Sequence, residues 1–142
     1  MSERMILLVE DDPDHEALAI RALKRSNVAN EVKVARDGEE AVAYMKAVAA
    51  GTERAPQLVL LDLKLPKVEG LDVLRAIRAA DKTAMLPVVV LTSSDEERDI
   101  VASYRLGVNS YIRKPVNFTD FAEATKQLGM YWLLLNQCPP AQ

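Results

Sequence analysis

A chain of 142 residues, 49% hydrophobic and 27% charged, is large enough for one domain with a single core and has the composition of an ordinary globular protein. Its net charge of −3, with Lys and Arg scattered, argues against direct nucleic-acid binding, because phosphate contacts need clustered cations. The apolar run before Glu10 is too short for a signal peptide or a membrane span, so a cytoplasmic protein with no membrane partner is expected.

Met5–Val9 is continuously apolar and reads as a first strand. Asp12-Pro13 then opens a helix, with a capping residue followed by Pro at the first helical position. Glu31–Ala35 alternates polar and apolar residues, which suits an edge strand, and Gly38–Ala49 follows as a second helix. Leu58–Leu61 is an unbroken apolar strand; Gly70–Ala80 is a third helix with Leu71, Leu74 and Ile77 on one face. Val88–Leu91 is the fourth strand, and Ser94 with Glu97, in capping-box spacing, starts a fourth helix at Ser94. Ser110–Ile112 is a short fifth strand, and a fifth helix is expected from about Phe118 to Asn136. Five alternations of strand and helix predict an α/β fold: a doubly wound, five-stranded parallel sheet with helices on both faces, in a single domain over residues 1–142.

The residues just past each strand carry the chemistry. The first strand ends in Glu10-Asp11-Asp12, the third in Asp62, the fourth in Thr92-Ser93-Ser94 and the fifth in Lys114-Pro115. In an open parallel sheet, ligands bind outside the carboxyl ends of the strands, so these residues, remote in sequence, converge on one rim. Taken singly, Asp12 is a helix cap, Thr92 the end of a strand and Lys114 a surface lysine; the combination is what points to function. Glu10, Asp11 and Asp62 crowd negative charge together, and like charges about 4 Å apart repel by roughly 4 kcal/mol per pair at an effective dielectric near 20. A hard divalent cation relieves that repulsion, and Mg²⁺ commonly binds through one or two carboxylates plus a phosphate oxygen. With the charge so balanced, Asp62 can act as a nucleophile toward a phosphoryl group, Lys114 can neutralise the transferred group and the Thr92 hydroxyl can hydrogen-bond it.

The stretches MILLVEDDPD, LVLLDLKLPKVEGLDVL, LPVVVLTSSDEERD and LGVNSYIRKPVNF, in this order, resemble the receiver domains of two-component response regulators over essentially the full chain. The resemblance implies a flavodoxin-like sheet of strand order 2-1-3-4-5, with Asp62 the phosphoacceptor, Asp11 a direct metal ligand and Glu10 a second acid acting directly or through water. It implies that Lys64 offers only its backbone carbonyl to Mg²⁺, that Thr92 is the switch hydroxyl, and that Lys114 is the rim lysine with Lys114-Pro115 in cis. Tyr111 matches the switch aromatic, and the phosphoryl donor is the phosphohistidine of a partner sensor kinase. Two positions depart from the commonest pattern: Glu10 stands where Asp is common, and the positive Lys64 lies beside the acceptor, so the lifetime of the phosphoryl group is not written in the motif. His15 reads as a first-turn helix residue near an acidic loop rather than as a phosphate relay.

The last helix is more apolar than one core requires. Phe118, Phe121, Thr125, Leu128, Trp132 and Leu135 form a stripe expected to face the sheet, while Met130, Tyr131, Leu133 and Leu134 lie off it. The end of the helix and the tail, about 130–142, are therefore expected to form an interface, with a homodimer as the simplest partner and no output domain following. Cys138, the only cysteine, allows neither an internal disulfide nor a cysteine zinc site and reads as an incidental tail residue. The ending LGVNSYIRKPVNFTDFAEATKQLGMYWLLLNQCPP is similar to stand-alone receivers that partner phytochrome-type histidine kinases, which implies a light-sensing kinase as donor.

Two other classes share parts of this pattern. A phosphatase of the haloacid dehalogenase type needs a second acid two residues after its nucleophile, where this chain has Lys64. A flavodoxin-like flavin binder needs a Ser/Thr/Gly-rich loop after the first strand, where this chain has acids that repel phosphate.

Overall fold

Strands without polar residues must be covered on both faces. In the computed structural model, which describes residues 5–25, 31–137 and 139, three such runs form the middle of one sheet. The elements run β1 (Met5–Val9), α1 (Pro13–Arg25), β2 (Glu31–Ala35), α2 (Gly38–Ala50), β3 (Leu58–Leu61), α3 (Gly70–Ala79), β4 (Val88–Thr92), α4 (Glu97–Arg105), β5 (Ser110–Arg113) and α5 (Phe118–Met130). α5 passes directly into a π-helical turn, Tyr131–Leu135. The sheet has the expected order β2-β1-β3-β4-β5, every neighbouring pair parallel, with the alternating strand β2 at one edge.

Period-two alternation splits the apolar strands between two cores. Ile6, Leu8, Leu58, Leu60, Val89 and Leu91 face α1 and α5, where Ala19, Leu23 and Phe121 cover them. Leu7, Val9, Val59, Leu61, Val88 and Val90 face Tyr44, Met45 and Val48 of α2 and Val73, Leu74 and Ile77 of α3. At about 1.5–3 kcal/mol for each large apolar side chain removed from water, these two layers hold the sheet in place. The register is nearly level at the carboxyl end: Val9 pairs with Ala35 and Leu61, Leu61 with Val90, and Thr92 with Arg113. Residues just past each strand therefore share one rim.

Two glycines keep the loop after β3 close to the sheet. A Cβ on Gly70 would strike the Asp62 carbonyl and Leu63 Cα, and one on Gly38 would strike the Val68 carbonyl. In the same loop Lys67 takes a left-handed backbone (φ 68°), while its ammonium lies 3.4 Å from Asp37 Oδ2.

Several expectations are corrected. α4 begins at Glu97, not Ser94, and no capping box forms. Ser94 is buried at the rim and donates its hydroxyl to Asp99 Oδ2 at 2.6 Å, so residues 93–96 complete the loop before the helix can start. The Lys114-Pro115 bond is trans, as are all peptide bonds among the described residues; trans is the intrinsically favoured isomer, and Lys114 reaches its partners from it. Within the last helix, Phe121 and Thr125 are buried and Leu128 and Trp132 pack on the core, but Phe118 is 60% and Leu135 71% exposed. Phe118 opens the helix and lines an open cleft with Leu18 and Arg21 of α1. The wider π turn rotates the residues after Met130, so Leu133, expected off the stripe, packs on the core beside Trp132, and Leu135 turns outward. Met130, Tyr131 and Leu134 remain exposed as expected. Cys138 and the tail from Pro140 lie outside the described residues.

Candidate functional site

The rim is assembled by backbone ladders that run on past the strands. Glu10 N donates to Ala35 O at 3.0 Å, Asp62 N to Val9 O at 3.1 Å and Lys114 N to Thr92 O at 2.7 Å. The level register thus carries Glu10, Asp62, Thr92 and Lys114 to one place, all of them buried. Asp11 is exposed at the mouth. Asp12 turns away to cap α1, accepting from the amides of Asp14 (2.8 Å) and His15 (3.3 Å). Although what little burial it has acts the other way, those amides hold its carboxyl below the usual range.

Asp62 lies at the centre of the site. Its Oδ1 accepts from the Thr92 hydroxyl at 2.7 Å and from the backbone amide of Lys64 at 3.0 Å. Its Oδ2 accepts from the Lys114 ammonium at 2.8 Å. Charge-assisted hydrogen bonds thus replace the water that a carboxylate ending a buried strand has lost. Lys114 also contacts Glu10 Oε1 at 2.7 Å. Burial works against the ammonium, but Asp62 and Glu10 together outweigh it and raise its pKa. Glu10 fares differently, because one ammonium cannot fully pair two buried carboxylates. Desolvation pushes its pKa from 4.5 up to about 7, with the Asp62 charge adding to the rise and Lys114 opposing it.

One carboxylate oxygen from each of Glu10, Asp11 and Asp62 lies within 4.8 Å of the others. The donors are all oxygen, two of the residues are buried, and Glu10 is under-compensated as a carboxylate, so the cluster fits a hard divalent cation, of which Mg²⁺ is the match. The Lys64 side chain takes no part. It is 56% exposed and points to Asp99 on α4, its ammonium 4.0 Å from Asp99 Oδ2. No acid therefore stands where a haloacid dehalogenase-type phosphatase keeps its general acid/base.

Tyr111 is half-buried against the α2–α3 core and donates its hydroxyl to Ser94 O at 2.8 Å. Burial raises its pKa, the Ser94 bond opposing that rise. Ser94 N in turn approaches Thr92 Oγ1 at 3.4 Å, so Tyr111, the loop after β4 and Thr92 form one continuous path to Asp62. Two residues gain significance that sequence reasoning did not assign. Asp99 links Ser94 and Lys64 to α4. His15, set aside as a first-turn residue, brings Nδ1 to 2.9 Å from Lys114 Nζ. The available signal was its place one helical turn after Asp11, which directs it back over the rim.

Comparison with known proteins agrees with this geometry. The response regulator receiver domain profile matches residues 6–126. The chain is 39% identical over 135 residues to the probable methanogenesis regulatory protein FilR2 of Methanothrix harundinacea, covering 95% of this chain and 87% of that protein. It is 37% identical over 139 residues to response regulator Rcp1 of Synechocystis, covering 97% and 95%, and the Mn²⁺-bound structure of Rcp1 superposes with a TM-score of 0.88 over 96% of this chain and 99% of that one. The phosphorylated cyanobacterial phytochrome response regulator RcpA superposes with a TM-score of 0.90 at 40% identity, covering 98% of this chain and 100% of that one. No helix among the described residues is long and apolar enough to cross a membrane. Fold, acidic cluster and sequence agree: the chain belongs to the response regulator receiver domain family of two-component signalling proteins.

Proposed function

We propose that the protein is a single-domain receiver that takes a phosphoryl group from the phosphohistidine of a sensor kinase onto Asp62 and changes conformation to signal. The observation that carries this reading is the set of donors on Asp62. Thr92, Lys114 and the Lys64 amide hold both carboxylate oxygens beside the Glu10–Asp11 cluster. In the transfer, an Asp62 oxygen–phosphorus bond forms as the nitrogen–phosphorus bond breaks, and the departing imidazole nitrogen takes a proton from solvent. Glu10, Asp11, Asp62 and the Lys64 carbonyl would hold Mg²⁺, which would supply positive charge against the carboxylates and the phosphoryl oxygens. Lys114 neutralises a phosphoryl oxygen, and Thr92 turns its hydroxyl from Asp62 to another. That turn draws on Ser94 and Tyr111, which makes the loop after β4 and the surface of α4 the two-state element. Chemistry is confined to loading and hydrolysis at Asp62, with no turnover of small phosphate esters.

The donor we favour is a phytochrome-type kinase, supported by the near full-length similarity to Rcp1 and RcpA. The similarity to FilR2 supports the alternative, a kinase with a different sensor. A homodimer through Met130, Tyr131 and Leu134 is supported by their exposure on an otherwise apolar helix end. The receiver-domain match supports a cytoplasmic setting. Phosphotransfer from autophosphorylated kinases tests the reading. Label is expected to pass to the wild type and not to Asp62→Asn, and faster from a phytochrome-type kinase than from an unrelated one. Equal labelling of Asp62→Asn would overturn the acceptor, and equal rates would overturn the partner.

A further inference from the structure

An ammonium has three N–H donors. Those of Lys114 meet three acceptors: Glu10 Oε1 at 2.7 Å, Asp62 Oδ2 at 2.8 Å and His15 Nδ1 at 2.9 Å. Because the ammonium can only donate, His15 Nδ1 accepts, which places the imidazole proton on Nε2. The three partners differ in what the reaction asks of them. Glu10 and Asp62 belong to the cation cluster, and Asp62 becomes the attachment point of the phosphoryl group. His15 is outside that cluster and takes no part in holding the cation.

His15 is also well braced. It sits in the first turn of α1, and its ring stacks on Phe121 of α5 with centroids 4.9 Å apart and planes at 24°. Phe121 is itself buried in the core, and its ring lies 6.0 Å from Lys114 Nζ. The other polar groups facing the imidazole are Asp12 Oδ2 at 3.7 Å and Glu10 Oε1 at 4.0 Å from Nδ1. The ring is thus fixed from below by an aromatic face while Nδ1 is aimed at the lysine. A histidine that only filled space would need no such aim.

We infer that His15 is a positioning residue for phosphorylation: it holds the Lys114 ammonium at the rim while the lysine exchanges its carboxylate partners for the incoming phosphoryl oxygen. The inference rests on the receiver reading above. A lysine on a four-carbon stem has rotamer freedom to lose, and a ring nitrogen fixed outside the cation cluster confines it while its carboxylate partners change.

Two variants separate the acceptor from the packing. His15→Phe keeps an aromatic face on Phe121 and removes the acceptor; His15→Asn places an amide oxygen near the position of Nδ1 and loses the ring. Phosphorylation is followed with saturating Mg²⁺ and acetyl phosphate, alongside the melting temperature of each variant. The ¹⁵N-detected ammonium signal of Lys114 is recorded in the metal-free protein. His15→Phe is expected to load Asp62 about tenfold more slowly and to speed hydrogen exchange at the Lys114 ammonium, with His15→Asn within about twofold of wild type. Wild-type rates and ammonium exchange in His15→Phe would overturn the inference. So would a loss in both variants that follows their melting temperatures. If the wild type itself takes up no phosphoryl group, the receiver reading fails instead, and the ammonium signal still decides whether His15 holds Lys114.

Discussion

Glu10 is the residue whose state depends most on what binds beside it. Its carboxyl moves from 4.5 in the unfolded chain to about 7 in the folded one. Between those values the folded protein keeps a proton that the unfolded chain has lost, so stability falls as pH rises from about 4.5 to about 7 and stays lowered above. The cost of the ionised form is on the order of 3 kcal/mol. Without divalent cation, the Glu10→Gln variant should therefore show a flatter decline in melting temperature over that window. With Mg²⁺, the wild type should gain more at pH 8 than at pH 5, and Glu10→Gln should gain little at either. Equal gains at both pH values would show that Glu10 is not where the cation acts. At this scale the legible residues were those that directly follow a strand, because the level register of a parallel sheet delivers them together. His15 and Asp99 were not legible, since their partners are set by how helices lie over the rim.

Among the helices α1 to α5, α4 buries the fewest residues. Ser103 is its buried residue, and its start depends on Asp99 binding Ser94 and facing Lys64. An element joined to the acceptor by polar contacts and a thin apolar face is suited to a switch. Asp99→Ala should accelerate amide exchange across α4, a local loss of about 0.5–1.5 kcal/mol, with little change in the exchange of β1 and β3. Unchanged protection of α4 would show that this network does not hold the helix. β1, β3 and β4 were readable nearly to the residue as unbroken apolar runs too short for a buried helix, and β2 by its alternation. The start of α4 was not, because Ser94 has cap-like spacing yet is claimed by the rim. The π turn was equally hidden: nothing in Tyr131–Leu135 announces a widened turn, and it reversed the sides of Leu133 and Leu135.

At the scale of the whole molecule, Met130, Tyr131 and Leu134 are exposed on the side of the last helix opposite Trp132 and Leu133, which pack on the core, so a partner can cover them without touching Glu10, Asp62, Thr92 or Lys114. If they form the proposed homodimer, sedimentation should show mass rising with concentration, and Tyr131→Glu with Leu134→Lys should leave a monomer that still loads Asp62. A wild-type mass that stays monomeric at all concentrations would remove the dimer from the account.

The central claim is narrower: the buried carboxylate held by Thr92, Lys114 and the Lys64 amide is the acceptor. Its most direct test is intact-mass spectrometry after incubation with acetyl phosphate and Mg²⁺, with peptide mapping of the modified chain. The account predicts a gain of one phosphoryl group, located on Asp62 and absent when the divalent cation is chelated. A phosphoryl group mapped to any other residue, or none gained with Mg²⁺ present, would contradict it.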